Sequence, residues 1–230
     1  IHDRVLLFGG KDRDNDPIGG LWKMEDGAWQ SLDVDDGPSA RMGAAMLDDP
    51  EHDRVLLYGG LGADGWLADL WAFDGAQWEL LSDGTDGPSP RGFASLAYDP
   101  IRERVVMSGG QDGPGRWTLG TWEWSDEGWH EALEFTIAYR RGAVVFSPLL
   151  AEVVGLGYRT MERYDGERRV RIDTLDTRAP HATWNRVIYD HGRDELFAYT
   201  VGTPHIGAVV EENLAPVFDD LRTDVEVSVT

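Results

Sequence analysis

The stretches RVLLFGG (4–10), RVLLYGG (54–60) and RVVMSGG (104–110) write one pattern three times at a spacing of 50 residues, an apolar run closed by two glycines. Self-similarity at a fixed period of this size marks an architecture assembled from copies of one supersecondary unit. Three further features keep the same phase. Arg41, Arg91 and Arg141 stand 50 residues apart, and each leads into an apolar stretch, RMGAAML, RGFASLAY and RGAVVF. The turns DDPEHDR (48–54) and YDPIRER (98–104) align Asp49-Pro50 with Asp99-Pro100. Tryptophan pairs with six residues between them follow the glycines: Trp22 and Trp29, Trp71 and Trp78, Trp122 and Trp129.

Each unit reads as four short strands, in the second unit at roughly 42–48, 54–60, 69–74 and 77–82 by alternation and turn chemistry. Asp-Pro precedes the second strand, Asp74-Gly75 precedes the fourth, and the loop GTDGPSP (84–90) leads into the next unit. No segment sustains a helical period. Four antiparallel strands per unit at this repeat length predict an all-β fold, a β-propeller of four-stranded antiparallel blades.

The apolar run ending in Gly-Gly, followed by two aromatics at fixed spacing, resembles the Kelch repeat over 4–29, 54–78 and 104–129. The later units depart from it. In SPLLAEVVGLGY (147–158) Tyr158 stands for the second glycine, and in WNRVIYDHGRDELFAYTV (184–201) the pair has become Thr200-Val201.

A period of 50 divides 230 residues into about 4.6 units, and the first unit lacks its opening strand. The C-terminal DVEVSVT (224–230) alternates Val225, Val227 and Val229 with polar residues and reads as the strand that fills this place. The expectation is one domain over 1–230 with five blades, closed by the two termini in one sheet: 224–230 with 1–33, then 41–82, 91–133, 141–174 and 183–220. A fragment of a six- or seven-bladed ring is the alternative.

Composition removes several function classes. The formal charge of −21 opposes a nucleic-acid partner and an anionic membrane surface. No apolar run is long enough to span a bilayer. The absence of cysteine excludes disulfides, a thiolate nucleophile and Cys-ligated metal. It also excludes the Tyr–Cys cofactor of galactose-oxidase-like propellers. No phosphate loop, GxSxG or HExxH is present, and DRDNDPIGG (12–20) fails the calcium-loop pattern at Pro17 and Lys23. The expectation is no catalytic residue, no metal and no cofactor, in a monomer. Its compartment is undetermined, with a secreted or cell-surface setting among the options.

In an up-and-down unit the loop after the second strand shares a face with the loop before the next first strand. The segments 11–19, 61–66 and 111–117 therefore lie beside Arg41, Arg91 and Arg141, and bring Trp66 and Trp117 with them. The turns near His2, His52 and Glu103 lie on the other face. In Kelch-like propellers these loops often contact partners, and the matching arginine meets acidic peptide segments in some members. The resemblance thus implies a binding face of Arg41, Arg91, Arg141, Trp66 and Trp117 for a protein segment, acidic in one form, or a carbohydrate. A second role stays open for the arginines, tying adjacent loops together through Asp residues. A non-catalytic binding module is expected, and a sugar-processing hydrolase or isomerase is the alternative.

Overall fold

The computed structural model describes residues 5–132, 143–148, 150–156, 161–173, 186–190, 195–199 and 208–209. Throughout these residues the chain is strand and turn, with no helix. The first sheet holds β1 (Leu6–Lys11), β2 (Pro17–Glu25) and β3 (Ala28–Leu32). The second holds β4 (Arg41–Met42), β5 (Ala45–Asp49), β6 (Arg54–Gly62), β7 (Gly65–Phe73) and β8 (Trp78–Ser82). There β4 and β5 pair successive parts of β6, so together they act as one interrupted first strand.

The third unit contains β9 (Ser95–Asp99), β10 (Arg104–Ser108), the separate hairpin β11 (Gln111–Gly113) and β12 (Arg116–Trp117), then β13 (Thr121–Ser125) and β14 (Gly128–Glu131). The fourth contains β15 (Ala143–Ser147), β16 (Glu152–Leu156), β17 (Met161–Tyr164) and β18 (Arg169–Asp173). The fifth contains β19 (Arg186–Asp190), β20 (Glu195–Tyr199) and β21 (Ala208–Val209). All pairings are antiparallel, and strands follow sequence order across each sheet. The segments 1–4 and 224–230, expected to share a closing sheet, lie outside the described residues, as does Arg141.

The contiguous apolar runs have a simple cause. Successive side chains of a strand point to opposite faces, and here both faces are buried. Leu57 packs with Leu21, Phe73 and Trp78 against the first sheet, whereas Leu56 and Tyr58 pack with Val105 and Met107 of the third. Val106 turns the other way, toward Val144, Val153 and Tyr164 of the fourth. The core is thus a series of layers between consecutive sheets. The first strands of successive units lie side by side, β5 by β9, β9 by β15 and β15 by β19.

Tryptophans extend these layers backward along the chain. Trp78 meets Phe8 of the preceding sheet edge-on at 5.6 Å, and Trp129 meets Tyr58 at 5.4 Å. Trp29 has no earlier sheet beside it among the described residues and is 44% exposed, with Trp22 at 37%. The repeat tryptophans of the second and third units thus pack between sheets, and those of the first do not.

The strands of the second unit run further than alternation suggested. β6 and β7 continue past the glycine pair as far as Gly62 and Gly65, so the post-glycine segment is a hairpin arm rather than a loop. A register shift between Tyr58 and Gly60 absorbs the glycines as a bulge, after which the ladder resumes.

The turns are held by aspartates. Asp74 Oδ1 accepts the backbone N–H groups of Ala76 and Gln77, both at 2.8 Å, and these bonds hold its carboxyl below the usual carboxylate range. A depressed folded pKa gives stability that is present above the unfolded value of about 3.9 and lost as pH falls through the folded value. Asp74→Asn is therefore expected to lower the urea midpoint at neutral pH, and the gap from wild type should close by about pH 2. A gap that persists there would assign the effect to geometry instead of charge.

Candidate functional site

The glycine-pair end of the sheets is built from interlocking repeats. Gly59 takes φ +60°, and a Cβ there would sit 2.3 Å from the Arg91 carbonyl oxygen; Gly9 stands in the same relation to Arg41. That carbonyl accepts the N–H of Gly60 at 2.9 Å. Each arginine in turn reaches back to the glycine pair of its own unit, Arg41 Nη1 to the Gly59 carbonyl and Arg91 Nη1 to the Gly109 carbonyl, both at 3.1 Å. Both donate Nε to the carbonyl and Nη2 to the hydroxyl of a serine two residues earlier, Ser39 or Ser89.

Beyond this shared frame the two arginines diverge. Arg41 is 1% exposed and closes a bidentate pair with Asp69, Nη1 to Oδ1 at 2.6 Å and Nη2 to Oδ2 at 2.8 Å. Trp71 Nε1 donates to the same carboxylate at 2.7 Å. Every nitrogen of Arg41 is engaged, and the geometry assigns it to the scaffold, the second of the two roles open for it. Arg91 is 4% exposed, and among the described residues it has no carboxylate within ion-pair distance. Burial lowers its pKa, against the pull of Tyr58, Asp112 and Glu131.

The aromatic residues come together. Trp66 lies in β7 opposite Leu61, and its ring meets Phe93 edge-on at 6.4 Å. The Trp66 ring also packs over Gly92, which pairs with Gln111, and Gln111 pairs with Trp117. Trp66, Phe93 and Trp117 are thereby strung across three adjacent backbones at the glycine-pair end. Trp66 and Trp117 are half-buried; Phe93 is 42% exposed.

Phe93 was not singled out by sequence reasoning, although a signal existed. Its backbone sits at φ +56°, a region that a bulky residue rarely occupies. The preceding unit has Gly43 at the equivalent place, φ +67°, in RMGA against RGFA. Aligning the two units asks why phenylalanine should stand where the backbone favours glycine. Ser39, Ser89 and Asp69 were also missed, though Gly-Pro-Ser-x-Arg recurs 50 residues apart at 37–41 and 87–91.

The opposite end carries a cleft of about 700 Å³ between the third and fourth sheets, lined by Arg102, Arg104, Glu123, His130 and Glu167 among others. Its ionic groups largely satisfy one another. Arg102 donates Nε to Asp99 and Nη1 to Glu123, lies 5.0 Å over the Tyr164 ring, and Tyr164 donates its hydroxyl to Glu123 at 2.9 Å. Burial and the neighbouring Glu123 push the Tyr164 phenol up. Glu152, raised by burial against the pull of Arg163, lies at this end as well, away from the arginine face. In the 12–20 loop, Asp12 Oδ1 accepts the N–H groups of Asp14 and Asp16, and no His, Asp and Glu cluster suited to a metal occurs among the described residues. Nor is any helix there long and apolar enough to cross a membrane.

No family model matches the chain, and no curated protein matches it. Among solved structures it is similar to "Structure of YjhT", with a TM-score of 0.64 and 11% identity over 85% of this chain and 73% of that one. At that identity the likeness speaks to the fold alone.

Proposed function

We propose that this chain is a Kelch-like β-propeller of five four-stranded blades that works as a non-catalytic binding module, presenting its glycine-pair end to a protein segment. Layered sheets whose first strands lie side by side support the radial arrangement. Leu7, 46% exposed where Leu57 and Met107 are fully buried, belongs to a face of the first sheet that a neighbouring blade would cover.

One observation carries the binding reading: Phe93 is half-exposed and held in a left-handed backbone beside Trp66, where the preceding repeat spends only Gly43. Such strain costs about 1–2 kcal/mol for a residue with a Cβ. The ring rests over Gly43 and against Trp66 and still leaves 42% of the residue exposed, so part of it is presented to solvent and not packed. Aromatic side chains with one rigid, partly exposed ring are the usual anchors of protein interfaces. Trp66, Trp117 and Phe93 form the anchor set, with Arg91 beneath them and Arg141 the corresponding position of the next unit.

Phe93→Gly is expected to leave unfolding stability within about 1 kcal/mol of wild type, because relief of strain offsets lost ring contacts. The same change should abolish retention on a peptide array. A loss of stability above about 2 kcal/mol would make Phe93 a packing residue and remove the argument. Retention on a glycan array in place of the peptide array would assign the face to carbohydrate. Turnover of a sugar, by contrast, would favour the enzyme reading, which needs two converging carboxylates near the arginines.

A further inference from the structure

The second and third units share an arrangement of donors but not its acceptor. In the second, Asp69 offers a carboxylate that takes Arg41 Nη1, Arg41 Nη2 and Trp71 Nε1 at 2.6, 2.8 and 2.7 Å. In the third, Arg91 repeats Arg41, held by the same bonds to serine and glycine. Trp122 repeats Trp71, and the residue two places before it is Gly120. A Cβ at Gly120 would stand 3.3 Å from Trp122 Nε1 and 3.9 Å from Arg91 Nη1, so this backbone occupies the site from which Asp69 acts. Among the described residues neither Arg91 nor Trp122 has an acidic acceptor.

We infer that Arg91 and Trp122 form a receptor for a single carboxylate, which binds at Gly120 as the Asp69 side chain binds Arg41 and Trp71. The guanidinium fork matches two carboxylate oxygens, and the indole N–H adds a third donor. Its 4% exposure makes Arg91 a fixed, desolvated donor, for which an ionic acceptor counts most. Solvent reaches this level of the fold, since the Asp69 side chain is 17% exposed. Leu119, beside Gly120, is 46% exposed. One carboxylate fits where one side chain is missing. A polyanion does not suit the site, because the formal charge of −21 repels it at long range.

Two sources supply this chemistry, a free small carboxylic acid and a carboxyl group borne by the bound segment. The inference rests on the proposed binding role only for the second source. The test titrates the full chain with sodium acetate, following the indole N–H resonance of Trp122 by NMR. Wild type should show a saturable shift with a millimolar Kd, and sodium chloride at equal ionic strength should not reproduce it. Gly120→Asp supplies the carboxylate internally, its φ lying outside the left-handed range. This variant should display the shifted resonance without acetate, raise the thermal midpoint and weaken acetate binding by more than about tenfold.

An unresponsive wild-type resonance overturns the inference, and so does a response that survives in Gly120→Asp. A blocked tripeptide carrying one central Glu, compared with its Gln counterpart, separates the sources. Tighter binding than acetate assigns the site to a partner's side chain, and equal binding assigns it to free carboxylates. Failure of the acetate arm leaves the Phe93 array result untouched, so the two readings fall separately.

Discussion

Gly59→Ala is expected to destabilise the chain by more than about 3 kcal/mol, well above the usual cost of a glycine replacement. Two effects add. At φ +60° any Cβ is strained, and here it would also lie 2.3 Å from the Arg91 carbonyl oxygen and 3.0 Å from that of Leu67. Both neighbours are backbone, so neither can swing aside. Moving the Arg91 carbonyl breaks its bond from Gly60 N–H, and moving the Leu67 carbonyl breaks its bond from Arg91 N–H. The contact joins the second and third units, so the damage is not local. Gly27→Ala is the control: its φ is +77°, but nothing lies within 4 Å of the added atom. It should cost only about 1–2 kcal/mol, the strain alone. Urea unfolding of both variants checks this, and equal losses would show that the close approach contributes nothing.

Asp69→Ala is expected to cost about 2–3 kcal/mol. Removing one partner of a buried pair leaves a desolvated charge, an effect that reaches about 3–5 kcal/mol in full burial. Two observations place this case lower. The Asp69 carboxylate is 17% exposed, so water softens the change. Arg41 also keeps its bonds to Ser39 and Gly59, the same three that hold Arg91 in the next unit without a carboxylate. The charge is stranded but not orphaned. A cycle with Arg41→Met measures the coupling, since the double variant should be more stable than the sum of the single losses implies. A coupling near zero would mean that Arg41 is held by its serine and glycine bonds alone.

Much of this architecture was open to reading in one dimension. The phase of RVLLFGG, RVLLYGG and RVVMSGG placed the second strands, and the Asp-Pro turns placed the hairpins. The hairpin arms beyond Gly59-Gly60 were less visible, because nothing in LGADGW alternates strongly enough to announce a ladder that resumes after a bulge. At the candidate site, Trp66 and Trp117 stood out as tryptophans that the repeat did not require. Phe93 did not, because its oddity lies in a backbone angle, visible only when the third unit is set against Gly43 of the second.

The sequence by itself determined the repeat and the four-strand unit, because both rest on local periodicity and turn chemistry. It could not decide between the two roles of the arginines. Arg41 and Arg91 sit in near-identical local sequences, GPSARMG and GPSPRGF. Their surroundings part at Asp69 in β7 and at Gly120 just before β13, almost thirty residues further on, in segments that reach the arginine only when the sheet is formed. Whether a buried guanidinium is part of the scaffold or a receptor depends on the acceptor folded against it, and that is a property of the tertiary structure.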